Sequence, residues 1–468
     1  MKKYDVIIVG AGPAGVYASY EFIENSDKQV LLVDKGLDIY KRSCPILEGK
    51  LDKCPVATRK KDYAGCFPAC SITDGFGGAG AYSDGKFNIT TEFGGWLTDY
   101  LDDAKVMELI KRVDNINLEH GAPDTITDPT TDHVLEIEKI GYAKGLKLLR
   151  SKVRHLGTEI NLKILQSIYE TLKAKVDFMF RTEVIDLVIE DNKIVGITTA
   201  NETIYADEVI LAVGRDGSKW LKDIATKYDI STGQNQVDIG VRVETSDIVM
   251  QDINKHLYEG KFIFNTSVGT TVRTFCSNPS GHVVVENHSG TMLANGHAYK
   301  DKSKGSSNTN FALLVSHKLT DFDDPNLYAH TVSKLANQIS NGSIIIQSYG
   351  DIIKGRRSTQ KRIDELFINP TQATAVPGDL GLVLPYNTMR SLIEMMEALD
   401  HVTPGIASEH TLFYGVEAKF YSSRFAVDNN FETTIKGLYL AGDGAGLTRG
   451  LSQAGANGIA IARHIISK

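Results

Sequence analysis

Two tryptophans among 468 residues, no surplus of basic charge and few cysteines set the first limits on this chain. Lysine and arginine number 51 against 58 aspartates and glutamates, a net charge of −7. The basic residues are spread along the chain, so the electrostatic footprint of a nucleic-acid binder is missing. No uncharged apolar run approaches the ~20 residues that cross a bilayer, and no membrane partner is expected. Lys2 and Lys3 precede the apolar run Val6 to Val9, but Asp5 interrupts what would otherwise open like a signal peptide. A cytoplasmic protein is expected, and structural disulfides among its five cysteines are not. Internal repeats and low-complexity tracts are absent.

Glycine, by contrast, is plentiful, with 42 residues. It is costly inside helices and strands, so this abundance points to sharp turns and to backbone that must approach a ligand closely. Hydrophobic content of 42% and charged content of 23% suit a folded globular protein. The length exceeds one ordinary core, which implies two domains or one large interrupted domain.

Tyr4 to Val9 reads as a buried parallel strand, Ala14 to Asn25 as a helix, and Gln29 to Val33 as a second buried strand ending at Asp34. Between the first strand and the helix lies Gly10-Ala11-Gly12-Pro13-Ala14-Gly15, the pattern G-x-G-x-x-G in the strand–turn–helix context that gives it meaning. Gly10 permits the tight turn, Gly12 lets a pyrophosphate approach the backbone, and Gly15 lets helix and strand pack closely. The helix N-terminus supplies N–H groups and a favourable dipole. Asp34, 24 residues after Gly10, is placed to accept from both hydroxyls of an adenosine ribose and to repel a 2′-phosphate.

Residues 37 to 100 hold four cysteines and a glycine-rich run with little periodicity, an irregular excursion wrapped around a site. A mostly helical pattern follows to about residue 175. Strands return at Phe178 to Phe180, Val184 to Glu190, Lys193 to Ala200 and Glu208 to Val213. Antiparallel β is expected from 237 to 316, with a turn at Asn278 to Gly281. Helices are expected near Tyr328 to Ser340 and Asn387 to Leu399, and a last buried strand at Gly437 to Ala441. The expected fold is α/β: a Rossmann-like dinucleotide-binding domain, residues 1–225 and 420–468, interrupted by a β-rich α+β substrate domain, residues 226–419.

Three segments carry a resemblance to the Rossmann-type, glutathione-reductase-like FAD flavoprotein superfamily. They are the glycine fingerprint, the run Glu208 to Gly214 ending in Ala212-Val213-Gly214, and the run Gly437 to Asp443 ending in Gly442-Asp443. The chain further resembles a bacterial family of uncharacterised FAD-dependent dehydrogenases, NAD(P)/FAD-dependent oxidoreductases. That likeness rests on Cys44-Pro45, Cys54, Cys66, Cys70, Gly75 to Lys86, Val272 to Cys276, Gly350 to Arg356 and Gly442 to Gly446. It covers nearly the whole chain. The family usually carries Glu where Asp443 stands and Gly-Gly where Thr448-Arg449-Gly450 stands, so Arg449 is expected to alter what reaches the flavin. The resemblance implies FAD and an oxidoreductase acting on a small molecule; NAD(P)H as a transient electron donor and a redox partner protein stay open as further options.

The FAD contacts implied are Gly10, Gly12, Pro13, Ala14, Gly15, Asp34, Lys35, Gly78, Ala79, Gly80, Ser83, Val184, Ala212, Val213, Gly214, Gly442, Asp443, Gly450, Leu451, Ala454, Gly455 and Asn457. The run Gly77-Gly78-Ala79-Gly80 has no side chain beyond a methyl and is expected to lie flat against the ring. The helix after Leu451 would aim its N-terminus at the flavin edge that gains negative charge on reduction. Lys86 is a candidate to stabilise a reduced flavin or a substrate carbonyl, and a surface lysine is an equal reading. Tyr414 and Glu417 are candidates for proton transfer, and Arg273, Arg356 and Arg449 for an anionic substrate, against a structural role for each.

Cys44, Cys54, Cys66 and Cys70 are spaced x9, x11, x3, without the C-x2-C pairs of zinc and ferredoxin sites. Buried loop residues, a Cys66–Cys70 redox pair and a metal or iron–sulfur centre all stay open. The reaction is expected to be hydride transfer between flavin N5 and an organic substrate, as a dehydrogenase or as an ene/imine reductase. The rivals are a flavin monooxygenase, suggested by Arg215-Asp216-Gly217-Ser218, and a thiol-linked FAD redox sensor or electron carrier.

Overall fold

The structure is a computed structural model and describes residues 3–45, 48, 50, 69–83, 85–233, 235–257, 260–288, 291–298, 302–319 and 325–468. The chain divides into two compact units, Met1–Thr127 with Ser151–Gly233 and Ser422–Lys468, and Asp128–Arg150 with Gln234–Tyr421.

The first unit is built on a seven-stranded sheet. Its parallel part runs Val176–Met179, Val30–Val33, Lys3–Val9, Thr203–Leu211 and Leu438–Leu440. These strands are short, β-branched and buried, the composition of a sheet covered on both faces. Thr203–Leu211 shares one edge between two partners. Its first half pairs antiparallel with Lys193–Thr199, which continues into Val184–Glu190, and its last residues pair with Leu438–Leu440. Helices Pro13–Asn25 and Leu451–Ser467 pack on each other through small residues. A Cβ on Gly458 would lie 2.0 Å from the Ala14 carbonyl oxygen, and one on Gly455 would lie 2.7 Å from the Tyr17 ring.

The second unit is organised by an eight-stranded, mostly antiparallel sheet. Its order is Val376–Pro377, Ile345–Ser348, Leu412–Lys419, Val237–Ser246, Asn308–His317, Thr271–Asn278, Lys261–Asn265 and Leu146–Leu149. One apolar core holds alternate residues of these strands with helices Asp247–His256, Pro325–Ile339 and Tyr386–Leu399. Strands His282–His288 and Thr291–His297 form a separate pair.

The mixed α/β class follows from this architecture. Two details differ from the sequence reading. The helical stretch up to residue 175 is interrupted by strands Leu146–Leu149 and Lys152–His155. The first of these pairs with Lys261–Asn265, so residues 128–150 belong to the second unit. Four residues of leucine and lysine carry no period that separates strand from helix; the partner, more than a hundred residues away, decides. The turn at Asn278 forms, with the Gly281 amide donating to the Asn278 oxygen at 3.2 Å, but it joins strands of two different sheets.

Candidate functional site

Strand Lys3–Val9 ends where the fingerprint begins, and its three glycines do different things. Gly10 takes φ +108°, and a Cβ there would lie 2.2 Å from the Ala212 carbonyl oxygen. A Cβ on Gly15 would lie 1.9 Å from the Gly10 oxygen. Gly12 has an ordinary φ of −74°, yet no atom lies within 4 Å of a Cβ built on it. It is the N-cap of helix Pro13–Asn25, with no side-chain cap and no acid in the first turn. The helix end thus offers amides and the positive end of a dipole beside the open space at Gly12, the donor set a diphosphate needs.

Asp34 is more engaged than its position in the sequence suggests. Oδ2 accepts from the Ala11 amide at 2.8 Å, and Oδ1 accepts from the amides of Gly36 at 2.7 Å and Gly75 at 3.0 Å. A carboxylate offers about four acceptor sites. Three are filled from the backbone, which leaves capacity for one ribose hydroxyl rather than two. Lys35 pairs with Asp216 and lies 3.5 Å from Asp74 Oδ1.

The glycine run is a tight turn, not a flat strip. Gly77 and Gly78 take φ of +84° and +56°, and Gly78–Tyr82 winds as a short 3₁₀ helix. Left-handed backbone at two successive residues reverses the chain, which only glycine does cheaply. The turn is tied to the fingerprint by the Gly77 amide donating to the Ala11 oxygen at 2.7 Å. A Cβ on Gly78 would lie 3.0 Å from Gly12 Cα, and one on Gly80 would lie 2.8 Å from a Leu451 methyl and 3.6 Å from Pro13. The turn thus sits beside the N-termini of the first and last helices, with Ala79 exposed.

Two residues that sequence reasoning missed hold this turn. Arg42 is buried and donates to the carbonyls of Ser71 at 2.9 Å, Phe76 at 2.6 Å, Ile72 at 2.9 Å and Gly78 at 2.9 Å. Burial pushes its pKa down, and among the described residues no carboxylate pairs with it. Asn161, on helix Thr158–Lys173, donates Nδ2 to the Gly80 oxygen at 2.8 Å. Neither residue sits in a motif, and no local signal marks them. Ser83 Oγ donates to the same Gly80 oxygen at 2.7 Å.

The C-terminal segment completes the site. After strand Leu438–Leu440, Gly442 takes φ +78° and donates its amide to Asn457 Oδ1 at 2.8 Å. Asp443 accepts from Thr448 Oγ1 at 2.8 Å and lies 3.8 Å from Arg215, while burial raises its carboxyl above the usual range. Helix Leu451–Ser467 starts at Gly450 with no side-chain cap and no acid in its first turn. Ser452 Oγ, Gln453 Oε1 and Asn457 Nδ2 are buried and, among the described residues, without hydrogen-bond partners. Three such atoms in two turns of one helix call for a ligand or water. Leu451, Ala454 and Gly455 share the same turns. Gly214, φ +64°, borders open space, and its oxygen would lie 2.3 Å from a Cβ on Gly444. Ala212 donates its amide to the Val9 oxygen at 2.7 Å, Val213 is half-buried, and Val184 is buried at the start of its strand. Arg449 stacks its guanidinium 4.2 Å from the Trp96 ring centroid and donates its amide to the Gly94 oxygen at 2.8 Å.

Lys86 is a half-buried strand residue opposite His155. In the second unit, Tyr414 is fully buried and donates to Glu244 Oε2 at 2.5 Å, and burial holds its hydroxyl well above the usual pKa. Glu417 is fully buried and accepts from Arg242 at 2.8 and 3.0 Å, with Lys419 at 3.1 Å. Both side chains are interior and held by side-chain partners, an environment that fits the structural role weighed beside proton transfer. Arg356 pairs with Asp351 at 2.6 Å, which also holds Arg362 at 3.0 Å. Arg273 is half-buried with Nε unpartnered. Cys44 and Cys70 form no disulfide among the described residues, and Cys54, Cys66 and Asp84 lie outside them, so the Cys66–Cys70 pair and a centre of all four cysteines fall outside what the structure describes.

Residues 236–420 match the family described as FAD-dependent protein, C-terminal domain-like. An uncharacterized protein of Clostridium beijerinckii is 25% identical over 488 residues, spanning 99% of this chain and 80% of that relative. Among solved structures, glycine oxidase from Geobacillus kaustophilus aligns at a TM-score of 0.39 and 12% identity, covering 100% of this chain and 96% of its own. A geranylgeranyl bacteriochlorophyll reductase-like protein from Thermoplasma acidophilum aligns at 0.38 and 12%, covering 100% and 79%. The family match supports FAD and flavin redox chemistry in general.

Proposed function

We propose that the chain is an FAD-dependent oxidoreductase that exchanges a hydride with a small organic substrate. The observation that carries this reading is the pair of uncapped helix N-termini, at Gly12 and Gly450, flanking the 77–80 turn beside three buried atoms, Ser452 Oγ, Gln453 Oε1 and Asn457 Nδ2, that lack hydrogen-bond partners among the described residues. Gly12 and the start of helix Pro13–Asn25 would hold the diphosphate. Asp34 would hold one ribose hydroxyl, and Asp443 the ribityl chain. The first turns of helix Leu451–Ser467 would face the isoalloxazine. FAD, when bound, supplies a two-electron acceptor at N5. The protein contributes neutral donors and a helix dipole where negative charge grows, and a backbone held rigid by Arg42 and Asn161.

The direction of the reaction, dehydrogenase or ene/imine reductase, belongs to the substrate. The second half-reaction is proposed to use a nicotinamide or a redox protein, and anaerobic bleaching of the flavin by NADPH or NADH separates these. The first test is the visible spectrum of protein purified without oxygen. Flavin bands at about one per chain are expected. A colourless protein that takes up no FAD on reconstitution would overturn the reading, and a broad brown background would add an iron–sulfur centre to it.

A further inference from the structure

The second unit carries a side-chain cluster that flavin chemistry does not use. His133 is in the first turn of helix Asp132–Tyr142, while Asp252 and His256 lie one turn apart on helix Asp247–His256 and so share a face. His133 Nε2 is 2.8 and 2.9 Å from the two Asp252 oxygens. His256 Nε2 is 3.7 Å from Asp252 Oδ1, and the two rings lie 4.2 Å apart between centroids. One ligand atom from each residue falls within 4.8 Å of the other two.

A histidine–aspartate hydrogen bond accounts for His133. It does not account for His256, whose ring has no hydrogen bond among the described residues and stands beyond bonding distance from the same carboxylate. A tetrahedral ion with bonds of ~2.0–2.1 Å to nitrogen and oxygen places its donors about 3.3 Å apart. The His133–Asp252 and His256–Asp252 separations of 2.8 and 3.7 Å bracket that value, and the ligand nitrogens of the two histidines lie within 4.8 Å of each other. Two neutral imidazoles and a carboxylate carry one negative charge, and the side chains are 46%, 54% and 27% exposed for His133, Asp252 and His256, which leaves an outer position for water. Imidazole nitrogen selects zinc and its first-row neighbours over magnesium and calcium, which prefer all-oxygen sites.

We propose that His133, Asp252 and His256 bind a zinc-like divalent ion that fastens the segment Asp128–Arg150 to helix Asp247–His256. The clip would join positions 119 residues apart in sequence, and closing a long loop restricts the unfolded chain. An ion that binds only the folded unit raises its stability by linkage.

The experiment is calorimetric titration of the full chain, stripped with chelator and desalted, with zinc chloride and separately with magnesium chloride, alongside His133→Ala, His256→Ala and the double variant. Thermal melts with and without zinc accompany it. Expected is one saturable zinc site in the parent chain, weakened at least tenfold in each single variant, and a zinc-dependent rise in Tm that the double variant lacks, with no response to magnesium. Matching far-ultraviolet circular dichroism of the metal-free variants checks their fold. No saturable zinc binding, or a double variant that binds and melts like the parent, would overturn the site. Binding without any rise in Tm would overturn its role as a clip.

Discussion

Gly10, Gly12 and Gly15 belong to one motif but would answer a methyl group differently. Gly10→Ala and Gly15→Ala drive a Cβ to 2.2 and 1.9 Å from a carbonyl oxygen. Overpacking of this kind costs about 1–3 kcal/mol, and Gly10 adds strain at its positive φ. Gly12→Ala meets no protein atom within 4 Å. Melts should show Gly12→Ala within about 0.5 kcal/mol of the parent, and flavin-to-chain ratios should fall for it nonetheless. Equal losses of stability in all three would sink the assignment of that space to a ligand. Arg42→Met leaves four carbonyls without their donor and is expected to cost about 3 kcal/mol, with release of flavin at lower temperature. Glu417→Gln strands the buried Arg242 charge and is expected to cost about 3–5 kcal/mol. The pH profile of whatever turnover remains should not move if the buried, Arg242-paired carboxylate has only a structural role, and a shifted profile would return Glu417 to proton transfer.

Helix Leu451–Ser467 and helix Pro13–Asn25 approach closely because Gly458 and Gly455 face Ala14 and Tyr17. That crossing places the two free N-termini beside one glycine turn. The consequence is electrostatic: the last helix offers dipole and neutral donors but no charge in its first turn. Asn457→Asp keeps the acceptor for the Gly442 amide and adds a negative charge near the same helix end. The flavin midpoint potential should fall by about 20–60 mV, the equivalent of ~1–3 kcal/mol for a two-electron couple. Potentiometric titration with a reference dye reads this directly, and an unchanged potential would mean that the helix does not face the ring.

At the scale of the molecule, two compact units predict unfolding that is not two-state. Added FAD should raise the transition of the first unit by linkage, which differential scanning calorimetry resolves. Each unit also carries a histidine whose pKa burial lowers from 6.5: His120 in the first, beside Ser167 and Tyr20, and His317 in the second, beside Thr388. Their neutral forms are favoured when folded, so this contribution is complete above 6.5 and is lost as pH falls from there towards the folded values. Both transitions should move down between about pH 7 and pH 5.5. His317→Asn should flatten the dependence of the second alone.

Much of the site was legible in the sequence because its demands are local. A buried strand, a turn that needs φ above zero and a helix start lie within a dozen residues of each other, and glycine is the residue such backbone requires. The same holds for the 212–214 turn and the 442–451 turn. What only the tertiary structure decided depends on partners distant in the chain. Leu146–Leu149 is a strand because Lys261–Asn265 lies beside it. Asp34 is mostly filled because amides from residues 11, 36 and 75 converge on it. Tyr414 and Glu417 are interior because Glu244 and Arg242 come from a neighbouring strand. Conformational preference is a property of a few consecutive residues and can be read from them, whereas burial and hydrogen-bond satisfaction are settled by which segments the folded chain brings together.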